Sequence, residues 1–340
     1  MTLPYDDLDA LRIFPGPDHL LYRLPSRTEP DGHRLDDLVR HWADACGLLE
    51  DASAHERLGD AAVGDLITSC YPGLRPDRAA PLAGWISWLF VIDDYYDRLD
   101  VQGDEYPDTL TDEIIDALPV EPHSRIRHHE APLARELARL WRHIAPQLSR
   151  WWRMRFATHV AHFLTAFRYE RMHRREGLPP GLGAYAELRR ASSSVTACLD
   201  LLEYATGQEV PSLLHETRQL RTMFGKATDV VAWVNDVVSL RKEVGIGDTN
   251  NGIVVVRREL GLDTQGAIDH VYRAVDRDIE EFLRAEAELW RMCKHWNGVT
   301  DAEQSALALL SPGPATCVSV TVTDMKRAAV TTTPDRVPAR

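Results

Sequence analysis

A chain of 340 residues, 44% of them hydrophobic, is long enough to bury one large core or two smaller ones. Its formal net charge of −13 disfavours nucleic acid as a partner, and no apolar stretch is long enough to span a membrane. The five cysteines (Cys46, Cys70, Cys198, Cys293, Cys317) are dispersed without a CxxC pair and no signal-peptide pattern opens the chain, so free thiols in a reducing cytoplasm are expected.

Leu, Ala, Arg and Glu dominate, and β-branched runs are few, the main ones at 253–256 and 318–322. The expected class is all-α, a single domain of many helices. Residues 1–30, rich in Pro and acidic residues, read as an irregular arm, residues 31–310 as the helical domain, and residues 311–340 as a divergent, flexible tail. Helical periodicity starts near Leu35, with Leu38, Val39, Trp42, Ala45, Cys46 and Leu49 recurring at three and four. Pro72 and Pro76 mark a turn, and a long apolar helix is predicted over 81–97. Pro107, Pro119 and Pro122 interrupt the chain before helices at 131–144 and 148–175. The basic run across 153–175 reads as a solvated helix face. After a turn at 177–183, residues 185–204 read as one helix weakened at Ser192-Ser193-Ser194. Serine side chains compete for backbone hydrogen bonds, so three in a row predict a break or kink. A short helix from Pro211 precedes a long one over 220–243, a flexible loop to Gly252, and helices at 253–260 and 264–296.

Two polar clusters interrupt the apolar runs, about 140 residues apart: Asp93-Asp94-Tyr95-Tyr96-Asp97 and the stretch from Asn235 to Glu243. At about 100° per residue, Asp93 and Asp97 share one helix face, and Asn235, Ser239 and Glu243 share another. Carboxylates so close to apolar runs need a cation or hydrogen-bond partners. The donors on both faces are oxygens only, which suits hard cations such as Mg²⁺ or Mn²⁺ rather than zinc or copper. Two facing oxygen-rich helix surfaces therefore suggest a metal-bridged diphosphate site.

This pair of motifs resembles the class I terpene synthases (terpene cyclases), mainly the bacterial type, whose DDxxD and NDxxSxxKE strings the chain matches letter for letter. The resemblance implies a single-domain helical bundle enclosing an apolar active-site cavity. It implies an isoprenyl diphosphate substrate, three Mg²⁺ ions (with Mn²⁺ as an alternative), and a carbon–oxygen lyase that ionises the allylic diphosphate and cyclises the cation. Farnesyl diphosphate is the default substrate and geranylgeranyl diphosphate a close second. Asp93 would be the direct metal ligand of the first motif, with Asp94 and Asp97 behind it. Asn235, Ser239 and Glu243 would chelate one metal, and Lys242 would hydrogen-bond the diphosphate. Asp236 lies off the ligand face and is expected in a structural salt bridge. The family's diphosphate-sensing Arg is matched in part by Arg189-Arg190-Ala191-Ser192-Ser193-Ser194. Aligning the string makes Arg190 the sensor, Ser193 the linker and Ser194 the effector, whereas counting back from Asn235 favours Arg189. The effector is usually Gly in the family.

A carbocation needs a wall that is apolar, rigid and non-nucleophilic, with aromatic faces where charge passes. Ile86, Leu89 and Phe90 precede Asp93 on its face, and Val231 and Ala232 precede Asn235. Phe90 is the foremost cation-facing aromatic, and Trp85, Trp88, Trp233 and Trp296 are further candidates. The loops at 98–106 and 244–252 are expected to order over bound metal and diphosphate. The Arg-Tyr pair that usually ends the bacterial enzymes is missing, and Arg327 is a weak substitute. A homodimer is expected by analogy alone. A prenyl-chain elongating enzyme and a catalytically silent binder of isoprenoid diphosphates remain as alternatives. The first would normally carry two aspartate-rich motifs, and the second has no evident need for both metal strings.

Overall fold

The computed structural model describes residues 8–25, 32–47, 49, 58, 63–102, 108–121, 129–245, 250–296 and 299–319. Among them there is no strand, and no helix is long and apolar enough to cross a membrane. In chain order the helices are α1 (Gly32–Cys46), α2 (Val63–Cys70), α3 (Ala79–Gln102), α4 (Asp108–Asp116), α5 (Pro132–Ile144), α6 (Arg150–Glu176) and α7 (Leu182–Ser192). They continue as α8 (Val195–Thr206), α9 (Ser212–His215), α10 (Arg218–Gly245), α11 (Gly252–Leu260), α12 (Thr264–His295) and α13 (Asp301–Leu310).

Local chemistry sets the ends. The Ser149 hydroxyl accepts from the Trp152 amide at 3.2 Å to start α6, and Gly177 stops it at a φ of 63° that glycine adopts without penalty. Asp263 caps α12 through the Gly266 amide at 2.6 Å, and Thr300 with Glu303 forms a capping box on α13. Between α7 and α8 the run of serines breaks the helix as its composition predicts. Ser194 turns there with φ 58°, alone among the described non-glycine residues in having positive φ.

The core is lined with stacked aromatics. Trp152 lies 4.7 Å from Phe156, which also meets Trp85 at 4.8 Å and Trp141 at 5.5 Å. Edge and offset contacts of this kind add to the area the rings bury. The Trp88 indole donates to the Leu133 carbonyl at 3.0 Å and that of Trp152 to Asp200 at 3.0 Å, so their polar edges cost nothing in the interior. Gly84 lets α1, α3 and α5 converge: a Cβ there would meet Leu140 at 2.6 Å and Trp42 at 3.0 Å.

Several expectations need correction. The run at 153–175 is not a uniform solvated face. Arg153 is buried and donates to the Val120 carbonyl at 2.6 Å, while Arg155 is paired with Asp200 at 2.8 Å and with Glu203. A basic string on one helix cannot reveal that facing elements supply acceptors. Residues 98–102 stay helical at the end of α3 and 244–245 at the end of α10 instead of opening loops, while 103–106 and 246–249 of the two expected closing loops lie outside the described residues. As the expected helix at 253–260 requires, the β-branched run at 253–256 is helical within α11, where Ile253, Val255 and Val256 are buried. The expected tail begins as structure: residues 312–319 are helical, and Ala315, Thr316, Cys317 and Val318 are buried. Gly313 makes this possible, since a Cβ would lie 2.6 Å from Leu202. Arg327 lies outside the described residues. Of the N-terminal arm, residues 8–25 follow α12: Arg12 pairs with Asp269 at 3.1 Å, the Leu20 amide donates to Asp276 at 3.2 Å, and the Tyr272 hydroxyl donates to Ile13 O at 2.6 Å.

Candidate active site

A cavity of about 270 Å³ opens between the two motif helices. From α3 it is lined by Ile86, Leu89, Phe90 and Asp93, and from α10 by Val231, Ala232 and Asn235. The sequence places all seven on these faces. The helix break contributes Ser192, Ser193, Ser194, Val195 and Cys198, and Arg189 reaches in from α7. The rest comes from segments without a motif: Leu66, Ile67, Cys70 and Tyr71 at the end of α2, Phe163 of α6, and Cys317. Only the adjacency of Tyr71 to Pro72 at a helix end, and the aromatic repeat of Phe163 with Phe167, hint at these residues in the sequence.

The aromatic candidates divide. Phe90 is 38% exposed, unusual for a phenylalanine at mid-helix, because the cavity lies beside it. Trp85 and Trp88 are instead packed in the core, stacked at 5.4 Å, and neither lines the cavity. Trp233 lies against Tyr185 at 5.8 Å and Trp296 packs on the core, so these two are also absent from the wall. The indole rings turn to where ring and core partners are, and for Trp88 also a carbonyl acceptor, which residue type alone does not disclose.

The donor face of α10 is held by a polar network. Asn235 Oδ1 accepts from Arg189 Nη2 at 2.7 Å. The Ser239 hydroxyl donates to the Asn235 carbonyl at 2.8 Å, and Glu243 Oε2 accepts from Asn251 Nδ2 at 2.9 Å. Asp236, 1% exposed, accepts from Arg189 Nε at 2.8 Å, from the Tyr185 hydroxyl at 2.7 Å and from the Gly252 amide at 3.1 Å. The expected structural role of Asp236 is thus met by a buried ion pair whose remaining lone pairs are satisfied. Burial, and next the neighbouring Asp236 carboxylate, push the Glu243 carboxyl up to about 7. Burial also opposes the charge of Arg189, but Asp236, Tyr185, Glu170 and Glu243 more than offset this and hold the guanidinium above its ordinary value.

The two arginines of the Arg-Arg string have separate fates. Arg189 is at the cavity, 46 residues before Asn235. Arg190 is gripped from both sides of its guanidinium by Asp229, at 2.7 and 2.9 Å, and by Glu187 at 2.8 Å. It lines a different cleft of about 230 Å³ with His159 and His162. The register that made Arg190 the cavity residue is therefore corrected to Arg189. Neighbouring side chains on a helix diverge by about 100°, so the two cannot share the cavity. Ser194 borders both spaces, and its carbonyl accepts from the Cys198 amide at 3.2 Å in the first turn of α8. Lys242 is exposed and does not line the cavity. Asp94 and Asp97 lie on α3 beyond Asp93, but their side chains fall outside the described residues.

No three His, Cys, Asp or Glu side chains converge as a metal site among the described residues. The donors present are Asp93 at the cavity and the Asn235, Ser239 and Glu243 face. An incomplete set of oxygens fits a hard divalent cation that keeps waters and shares substrate phosphates, as Mg²⁺ does.

Comparison with known proteins agrees. The model of the family described as "Terpene synthase family 2, C-terminal metal binding" matches residues 84–281, a span that holds both motifs. The (+)-T-muurolol synthase of Roseiflexus castenholzii is 30% identical over 271 residues, covering 78% of this chain and 80% of that protein. The pentalenene synthase of Streptomyces avermitilis is 30% identical over 268 residues, covering 78% of each. In fold the chain is similar to hedycaryol synthase in complex with HEPES, with a TM-score of 0.78, 20% identity, and coverage of 96% of this chain and 100% of that one. The chain therefore belongs to the bacterial class I terpene synthases, enzymes that act as lyases on prenyl diphosphates.

Proposed function

We propose that the enzyme is a Mg²⁺-dependent terpene cyclase that ionises farnesyl diphosphate, with geranylgeranyl diphosphate as the second choice, and cyclises the resulting cation. The observation that carries this reading is the meeting of an apolar cavity with Asp93 on one wall and the Asn235 face, tied to Arg189, on the other. The substrate preference draws support from a relative named for cyclising (2E,6E)-farnesyl diphosphate.

Asp93, Asn235, Ser239 and Glu243 would hold the metal, with Asp94 and Asp97 behind Asp93. Mg²⁺, when bound, offsets the charge that develops on the departing diphosphate. Arg189 contributes fixed positive charge at the same end of the cavity. The allylic C–O bond breaks with both electrons going to diphosphate. The cation is left among Phe90, Tyr71 and Phe163, whose ring faces favour positive charge. Ile86, Leu89, Val231 and Ala232 keep water from it during cyclisation. Loss of a proton, or addition of water followed by loss of a proton, ends the reaction. Burial pushes the Cys198 thiol well up, which keeps this lining group protonated and weakly nucleophilic beside the cation.

The test is incubation of purified enzyme and Mg²⁺ with geranyl, farnesyl or geranylgeranyl diphosphate, followed by hexane extraction and gas chromatography–mass spectrometry. A cyclic hydrocarbon or alcohol from farnesyl diphosphate is expected. Absence of product from all three substrates would overturn the reading.

A further inference from the structure

Asn251 has no place in either motif, yet it is fully buried, with 0% of its surface exposed. It sits just before α11, where Oδ1 accepts from the Ile253 amide at 2.8 Å and caps the helix. The amide nitrogen points the other way, onto α10. It donates to the Asp236 carbonyl at 2.6 Å and to Glu243 Oε2 at 2.9 Å. Its two hydrogens thus join two points seven residues apart on the motif helix. The next residue fixes the approach. A Cβ on Gly252 would lie 2.4 Å from Trp233 and 2.6 Å from Asp236, so only glycine lets the backbone press this close.

We propose that Asn251 is a positioning residue for Glu243: its amide holds one carboxylate oxygen so that the other stays aligned with Asn235 and Ser239 for a divalent cation. The proposal rests on the metal-dependent reading above. Glu243 is the ligand most in need of such a hold. It has three rotatable side-chain bonds, it is the last of the three donors, and it lies two residues from the end of α10 at Gly245. Its hydrogen-bonding neighbour across the gap is Asn251, which is locked by its own cap and cannot follow a wandering carboxylate.

Capping and positioning separate cleanly by substitution. Asn251→Ser keeps an oxygen to cap Ile253 but has no amide to reach Glu243. Asn251→Thr likewise keeps a capping hydroxyl without an amide, and serves if the serine variant folds poorly. The full-length protein is melted with inorganic diphosphate while Mg²⁺ is titrated, and the Mg²⁺ midpoint of stabilisation is compared. A midpoint raised about 10–100-fold is expected in these variants, with little further effect of Asn251→Ser in a Glu243→Ala background. An unchanged midpoint, with wild type responding normally, reduces Asn251 to a helix cap and overturns the proposal while leaving the metal site intact. No Mg²⁺-dependent stabilisation of wild type by diphosphate would overturn the proposal together with the reading it rests on.

Discussion

Arg189 Nη2 donates to Asn235 Oδ1 at 2.7 Å, joining a residue in the last turn of α7 to the first donor of the second motif. The same guanidinium holds the buried carboxylate of Asp236 at 2.8 Å. A diphosphate that draws on Arg189 therefore acts on a group already bound to the motif helix, and the serine break lies within one turn of it.

The two arginines should differ in turnover. Arg189→Ala removes the cavity charge and strands Asp236, so a stability loss of about 3 kcal/mol and a fall in turnover of at least about 100-fold are expected. Arg190→Ala breaks a bidentate pair and strands the buried Asp229 carboxylate, so a loss of about 2–3 kcal/mol is expected with activity largely retained. Urea unfolding and product assays on both variants check this. Equal damage to turnover would remove the distinction.

Asp93→Ala, Asn235→Ala and Glu243→Ala each delete an oxygen donor from a site that has few. Each should lower turnover by about 100-fold or more while the circular dichroism spectrum and melting curve remain those of a folded protein. Near-normal turnover in two of the three would sink the assignment of the donor set.

Ser194 pays for its φ of 58° in steric strain, which an L-residue meets at roughly 1–2 kcal/mol. Ser194→Gly relieves the strain but loosens the unfolded chain, so a net gain of about 0.5–1 kcal/mol is expected. Ser194→Val should instead destabilise by about 1–2 kcal/mol, because branching at Cβ worsens the clash. Urea midpoints for the two variants should move to opposite sides of wild type.

Acid should weaken the protein through Asp200. Burial, the largest influence, pushes its carboxyl up, but the charges of His159, 2.6 Å away, and Arg155, 2.8 Å away, together hold it at about 2 against an ordinary 3.8. A depressed carboxylate contributes stability above its unfolded value and loses it as pH falls through the folded one. The contribution is thus complete above about pH 4 and fades towards pH 2. Its size is about 2–3 kcal/mol, from nearly two pH units at about 1.4 kcal/mol each. Urea unfolding of wild type and Asp200→Asn across that window should show the difference between them shrinking in acid.

The motif helices were legible because their information is local. Helical periodicity fixes which residues share a face, so Asp93 with Phe90, and Asn235 with Val231, could be grouped from spacing alone. The weakness of Ser192-Ser193-Ser194 as helix was also local, and the chain breaks there. The wall formed by Tyr71, Phe163 and Cys317 was not legible, since each belongs to a segment whose approach to the cavity depends on packing across the whole domain.

By itself the sequence determined the helical class, the family, the place of the break and the grouping of Asp93 with Phe90 and of Asn235 with Val231, because hydrophobic period and backbone propensity act within a few residues. Tertiary structure alone decided that Arg189 rather than Arg190 enters the cavity, and that the indoles of Trp85 and Trp88 belong to the core. It also brought Asn251 to Glu243. Each outcome depends on where a distant acceptor, ring or carboxylate lies in space, and burial makes satisfying those partners obligatory.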